Sequence, residues 1–133
     1  MSSCTYLFTV YDVHDEHKTY AEAKQACISL GGKLVEPKTA QQNARVTEIA
    51  KANGIATLWM GIQDQTNEDE FIYESSGQTI TYSNWYPNEP NDWEKREDCA
   101  EMYVTNVGIP GKWNDDECST KMPFACESNE GNR

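Results

Sequence analysis

The stretch "NEPNDWEKREDC" (88–99) places five carboxylates in twelve positions, with Lys95 and Arg96 the only positive charges among them. Carboxylates this close repel one another, and each is easier to protonate than to leave ionised unless a cation sits among them. The run is therefore either a solvated acidic loop or an oxygen cage. Calcium takes roughly six to eight oxygen ligands from carboxylates, amide carbonyls and water. The stretch offers Glu89, Asn91, Asp92, Glu97 and Asp98. Further oxygen donors stand at Asn114 and Asp115 in "WNDDEC" and at Asp64 and Glu68 in "IQDQTNEDE". None of this matches the contiguous EF-hand loop, so a calcium site here must be assembled from separate segments. The neutral Asn91 and Asn114 among the acids favour the cage. So does Pro90, because a cis bond before proline is available at modest cost and would turn Glu89 and Asn91 toward one ion.

Such segments need a scaffold to bring them together. The first half of the chain reads as a strand, "TYLFTV" (5–10), followed by two helices. Thr19 with Glu22 makes a capping box ahead of "YAEAKQACISL", whose stripe is Ala23, Ala26, Cys27 and Leu30, and Gly31-Gly32 supplies the C-cap. A second box, Thr39 with Gln42, opens "AQQNARVTEIAKAN", with a buried stripe of Ala44, Ile49 and Ala52 ending at Gly54. Beyond residue 57 the pattern changes to short β pieces: "LWMGI" (58–62), "FIY" (71–73), "AEMYV" (100–104), "GKWN" (111–114) and "FACE" (124–127). Between them lie long polar stretches, 63–70 and 75–98, of a length that is uncommon in compact domains and usually functional. The expectation is a single α+β domain over 1–133 with its core at about 5–127. Helices come first, then antiparallel sheet carrying long loops.

The whole-chain properties exclude several partners. The 133 residues carry a net charge of −11, which leaves no basic stripe for nucleic acid and disfavours anionic lipid. No apolar run approaches the length of a membrane span. Seven Tyr, four Trp and three Phe are too many for a disordered tail. The opening residues lack the basic and apolar regions of a signal peptide, so they read as a mature segment behind an added Met1. Five cysteines, Cys4, Cys27, Cys99, Cys118 and Cys126, show no metal-thiolate spacing. They suit two disulfides and one leftover in an oxidising, extracellular setting, with several pairings open. Were Cys99 joined to Cys118, Asn114 and Asp115 would be drawn toward the 88–98 loop, and closing that ring contributes roughly 3 kcal/mol in the chain-entropy account.

Taken together, these segments resemble C-type lectin-like domains, most closely the carbohydrate-recognition domains of mannose-binding proteins and other collectins. The resemblance covers roughly residues 5–127. It rests on "WMGI" (59–62), similar to the family's W-I-G-L strand, and on "EPN" (89–91), "EDC" (97–99) and "WND" (113–115), which stand in the family's order and spacing. It implies disulfides Cys27–Cys126 and Cys99–Cys118. It also implies a principal calcium site of Glu89, Asn91, Glu97, Asn114 and Asp115, and an auxiliary site of Asp64, Glu68, Asp92 and Asp98 with Glu97 shared. The resemblance implies a secreted, calcium-dependent lectin that binds terminal sugars of glycans, on microbes for example. Two vicinal sugar hydroxyls would replace calcium-bound water while exchanging hydrogen bonds with ligand carboxylates and amides. The order Glu-Pro-Asn is the family's mannose-type signature. Trp93 stands where galactose-type members often carry an aromatic, and stacking there contributes on the order of 1 kcal/mol. The loop "EKR" (94–96) is short and charged rather than glycine-rich, so mannose-type recognition ranks ahead of galactose-type.

Other features weigh less. His14 and His17 in "HDEH" lack a third zinc ligand and read as a surface turn. Paired acids also suit a glycosidase, but the calcium reading accounts for them and no enzyme is expected. Trp59, Trp85 and Trp113 read as core. No N-glycosylation sequon occurs. Cys4 is left to join two chains as a homodimer, to bond to a missing segment or to stay a thiol. The rival to a sugar-binding role is a lectin-like domain that binds a protein or another surface such as ice, and relatives of that sort often lose calcium ligands that this chain keeps.

Overall fold

Thr19 marks the first change of direction in the computed structural model, which describes residues 8–67, 70–90, 98–105 and 108–130. It ends strand β1 (Phe8–Lys18) and starts helix α1 (Tyr20–Ser29). The capping box is complete: the Thr19 hydroxyl accepts from the Glu22 N–H, and the Glu22 carboxylate accepts from the Thr19 N–H at 3.0 Å. The helix closes in a Schellman motif, with the Gly32 N–H on the Cys27 carbonyl and the Gly31 N–H on that of Ile28. Gly31 there has φ +86°, a conformation other residues enter at a cost. The inward stripe is Tyr20, Ala23 and Cys27, while Ala26 is half-buried. Leu30 departs from the expected stripe and is 65% exposed, because the cap turns it off the helical face.

Strand β2 (Lys33–Leu34) leads to helix α2 (Ala40–Ala52), again capped by a threonine hydroxyl, that of Thr39, on the Gln42 N–H. Gln42 reaches past the cap to the Lys38 N–H at 2.8 Å, so the second box is not reciprocal. The expected stripe needs correcting. Ala44 and Ala52 are exposed and Ile49 half-buried, whereas Asn43, Val46 and Ala50 face the core. A polar residue holds that face because its amide is fully used: Asn43 donates to the Gly111 carbonyl at 2.9 Å and accepts from the Trp113 indole at 2.8 Å.

The remaining strands are β3 (Thr57–Gln63), β4 (Ile72–Tyr73), β5 (Cys99–Tyr103), β6 (Trp113–Asp116) and β7 (Met122–Glu130). Among the described residues they hydrogen-bond into one system, in the order β1-β7-β3-β5-β6, with β2 on β7 and β4 on β3. All pairs are antiparallel except β3 with β7, which touch in parallel at Trp59 and Phe124. The fold is α+β, as expected. Gly61 of "WMGI" is required by close approach: a Cβ there would stand 2.9 Å from the Leu34 carbonyl oxygen, and the Gly61 N–H binds the Val35 carbonyl at 2.7 Å.

Two apolar clusters flank the sheet. One joins α1 to Trp59, Met122 and Phe124, and the other joins α2 to Leu58, Met60, Met102 and Trp113. Trp59 and Trp113 are fully buried and Trp85 packs partly buried against the second cluster, so all three serve the core. The disulfides are Cys27–Cys126 and Cys99–Cys118. The first ties α1 to β7, and the second ties the base of β5 to the segment after β6. Cys4 lies outside the described residues, and no helix among them is long and apolar enough to cross a membrane.

Candidate functional site

Strand β6 is the outer strand at one end of the sheet order, and the chain before Pro90 occupies its open edge. The Trp113 N–H donates to the Asn84 carbonyl at 2.9 Å, and the Tyr86 N–H donates to the Trp113 carbonyl at 2.8 Å. This short parallel bridge is backed by the Trp85 and Trp113 rings, edge to face at 5.5 Å, and by Phe71 against Trp85 at 4.8 Å. Directly after it, the Glu89 N–H closes a turn on the Tyr86 carbonyl at 2.9 Å. Asn88 has φ +71°, which Asn tolerates better than most residues, and the Glu89–Pro90 bond is cis. The turn thus holds Glu89 three residues beyond the bridge of Tyr86 to Trp113 on β6.

On β6 itself, strand alternation sends neighbouring side chains to opposite faces. Asp115, fully buried, shares the α2 face with Trp113. Asn114 is on the other face, opposite Glu101 of β5, and its Nδ2 donates to Glu101 Oε1 at 2.9 Å. Side chains on opposite faces of a strand can converge only at its edge, and the open edge of β6 is the one along which the 84–86 segment runs.

Asp64 and Asp98 meet at the neighbouring corner. Asp64 follows β3, Asp98 precedes β5, and the Asp64 N–H donates to the Asp98 carbonyl at 2.9 Å. Next to them Gln63 pairs with Cys99, and the Gln65 amide approaches Cys118 Sγ at 3.2 Å. The disulfide thus pins the base from which both acids project. Asp64 is only 1% exposed. Glu68, Asn91, Asp92, Trp93 and Glu97 lie outside the described residues.

The described portion therefore holds Glu89, Asn114 and Asp115 of one expected set and Asp64 and Asp98 of the other. Among the described residues no three His, Cys, Asp or Glu side chains group as a metal site. The donor chemistry nonetheless fits calcium: carboxylate and amide oxygens, without thiolate or imidazole. Asp64 and Asp115 are also buried carboxylates.

The expected histidine turn is a correction. His14 and His17 belong to β1; His14 stacks on Phe124 at 4.9 Å, and His17 is exposed. Glu101 is a further residue beside the site that the motifs do not mark. Its signal was the period of two in "AEMYV", which turns Glu101 away from Ala100 and Met102. Glu101 also borders an open groove of about 470 Å³, shared with Asp15, His17, Asp116 and Lys121. A second groove, of about 460 Å³, runs between α2 and the segment of Tyr82 and Asn84.

The Lectin C-type domain family matches residues 16–128. The chain is 37% identical over 117 residues to Collectin-10 of Gallus gallus, covering 88% of this chain and 40% of that protein. It is 34% identical over 118 residues to pulmonary surfactant-associated protein D of Bos taurus, covering 89% and 30%. With Salivary C-type lectin 2 of Aedes albopictus it shares 31% over 123 residues, covering 88% and 82%. The chain spans less than half the length of the collectin relatives it matches. Among solved structures, the cow CD23 carbohydrate-recognition domain, determined in the presence of a GlcNAc2Man3 oligosaccharide, superposes with a TM-score of 0.80 at 31% identity, covering 92% of this chain and 88% of that one. Herring type II antifreeze protein shares the fold at a TM-score of 0.79 and 22% identity, covering 92% and 91%. On the match over residues 16–128, the chain belongs to the Lectin C-type domain family.

Proposed function

We propose that the domain is a calcium-dependent lectin of mannose-type specificity, acting outside the cell on glycans with terminal sugars. The observation that supports this best is the Tyr86–Glu89 turn, which follows directly on the bridge to Trp113 of β6, the strand of Asn114 and Asp115. In this reading Glu89, Asn91, Glu97, Asn114 and Asp115 hold the principal ion. Asp64, Glu68, Asp92, Glu97 and Asp98 hold an auxiliary one. Calcium, when bound, supplies open coordination positions for two vicinal sugar hydroxyls. The chain's own residues do the rest: ligand carboxylates accept hydrogen bonds from those hydroxyls, and the Asn91 and Asn114 amides donate to them.

The Glu-Pro-Asn order supports equatorial 3- and 4-hydroxyls, as in mannose, over galactose. Trp93 carries the second reading, in which its ring stacks on the apolar face of galactose. A disulfide homodimer through Cys4 would raise avidity by holding two weak sites at high effective concentration. Reducing and non-reducing electrophoresis tests that link, and a monomer in both lanes excludes it.

A glycan array read with calcium and with excess EDTA tests the central reading. Binding to mannose-type sugars that vanishes with EDTA supports it, and binding to galactose alone selects the Trp93 reading. Retention on mannose resin in EDTA, or no binding to any sugar, overturns it in favour of a protein-binding or other surface-binding role.

A further inference from the structure

We propose that Glu101 is the positioning residue for Asn114, fixing which end of its amide faces the cation. This rests on the reading of Asn114 as a calcium ligand. The two residues are direct cross-strand partners in the β5–β6 register, and Asn114 Nδ2 lies 2.9 Å from Glu101 Oε1. An ionised carboxylate only accepts hydrogen bonds, so it takes the nitrogen end of an amide and rejects the oxygen end. Glu101 is 4% exposed, which limits competition from water for that bond. With Nδ2 held toward Glu101, Oδ1 is turned away from it and left to ligate. The second Nδ2 hydrogen remains to donate to a sugar hydroxyl. Without Glu101 the amide could rotate by half a turn and offer its nitrogen, which no cation accepts.

The rest of β5 explains why this position is separate from the core. Ala100 and Met102 point into the α2 cluster, whereas Glu101 lies on the opposite face, over the α1 side of the sheet. Its neighbours there are Trp59 across β3 and Asn114 across β6. A carboxylate in an otherwise apolar strand is costly to bury, and a fold that needed only volume at this point would carry an apolar residue.

Two variants of similar volume separate orientation from packing. Glu101→Gln keeps an oxygen that accepts from Asn114, and Glu101→Met removes it. Calcium affinity is read by calorimetry, and the calcium-free melting temperature is read alongside it. Outer-shell partners of metal ligands typically contribute about 10–100-fold to affinity. Glu101→Met is expected to lose calcium affinity in that range while its calcium-free melting temperature is unchanged or raised. Glu101→Gln is expected to stay closer to wild type. A Glu101→Met protein that binds calcium as tightly as wild type overturns the inference and leaves the lectin reading standing. A wild-type chain that binds no calcium overturns both. Should the Met variant fail to fold, the calcium-free wild type decides the matter by side-chain amide NMR. Asn114 NH2 protons protected from exchange with solvent support the inference, and protons that exchange as fast as those of exposed asparagines overturn it.

Discussion

Glu36, Glu74 and Glu127 form one set of buried or half-buried acids, and the acids around β6 and the Pro90 turn form another. The first set is saturated by groups of the fold itself. Glu36, 2% exposed, accepts from the Ser75 N–H at 2.9 Å, the Ser75 hydroxyl at 3.0 Å and Lys33 at 3.3 Å. Glu74 takes Lys24 at 2.9 Å and the Tyr20 hydroxyl at 2.9 Å, and Glu127 takes the Glu36 N–H at 2.6 Å. The second set is placed by backbone: a turn for Glu89, strand edge for Asn114 and Asp115, and a β3–β5 junction for Asp64 and Asp98. Lysines and donors built around an acid offset the cost of burying its charge. Acids brought to a turn, a strand edge and a strand junction are placed as the proposed cation sites would require.

The sharpest way to break this contrast is Asp115→Asn, which keeps shape and removes charge. On the lectin reading, sugar retention in calcium is abolished, and the variant no longer gains stability from the ion. For wild type that gain is about 2.7 kcal/mol at a calcium concentration of a hundred times Kd. Thermal melts with and without calcium measure it. An Asp115→Asn protein that still gains the wild-type amount would place Asp115 with the structural acids. Acidification acts in the same direction, because protons compete for ligand carboxylates, so sugar binding is expected to weaken at about pH 5.

Glu36→Ala is the converse test. It removes the charged acceptor of the part-buried Ser75 N–H hydrogen bond, which Lys33 and Lys38 also share, at an expected cost of about 2–3 kcal/mol. Denaturant unfolding in EDTA reads that loss, and calcium affinity of the folded fraction should be unchanged. Tyr20→Phe is milder. The Tyr20 phenol donates to Glu74, and burial, with Glu74 beside it, pushes its titration far above the ordinary range. Glu74 keeps Lys24 and Gln63 when the phenol is removed, so the expected cost is about 1 kcal/mol. A loss as large as that of Glu36→Ala would show that the three acids act as one cooperative unit.

The two sets also differ in how far they are legible in the sequence. Glu89, Asn114 and Asp115 sit in short contiguous motifs, and the caps at Thr19 and Thr39 are set by residues three positions apart. Local chemistry of this kind survives being read along the chain. Glu36 finds Ser75 and Glu127 across separations of 39 and 91 residues, and Asn43 finds Trp113 across 70. Nothing near Glu36 in the chain announces those partners. For the same reason Asn43 displaces the alanines expected on the inner face of α2, since its value there comes from the distant Trp113 indole and Gly111 carbonyl. Strand β2, two residues long, has too little periodicity to be seen, whereas "WMGI" carries its glycine where the backbones nearly touch.

The smallest expected effect lies within the first set and is read by pH. Burial pushes the Glu127 carboxyl above its ordinary value, the Glu36 N–H and Lys33 pull it back, Glu36 pushes it up again and Lys38 opposes that. A carboxyl that holds its proton more tightly in the folded than in the unfolded chain favours folding when protonated. That advantage is full below the ordinary carboxyl value of about 4.3 and is lost as pH rises through the raised value in the folded chain. Above that window the ionised group is a standing cost to the native state. Glu127→Gln keeps an acceptor for the Glu36 N–H and never ionises. The variant should therefore match wild type in acid and become slightly the more stable as pH passes through the window, with both proteins in EDTA. Calorimetric melts across that range measure the difference. A variant less stable than wild type at neutral pH would mean that Lys33 and Lys38 outweigh burial.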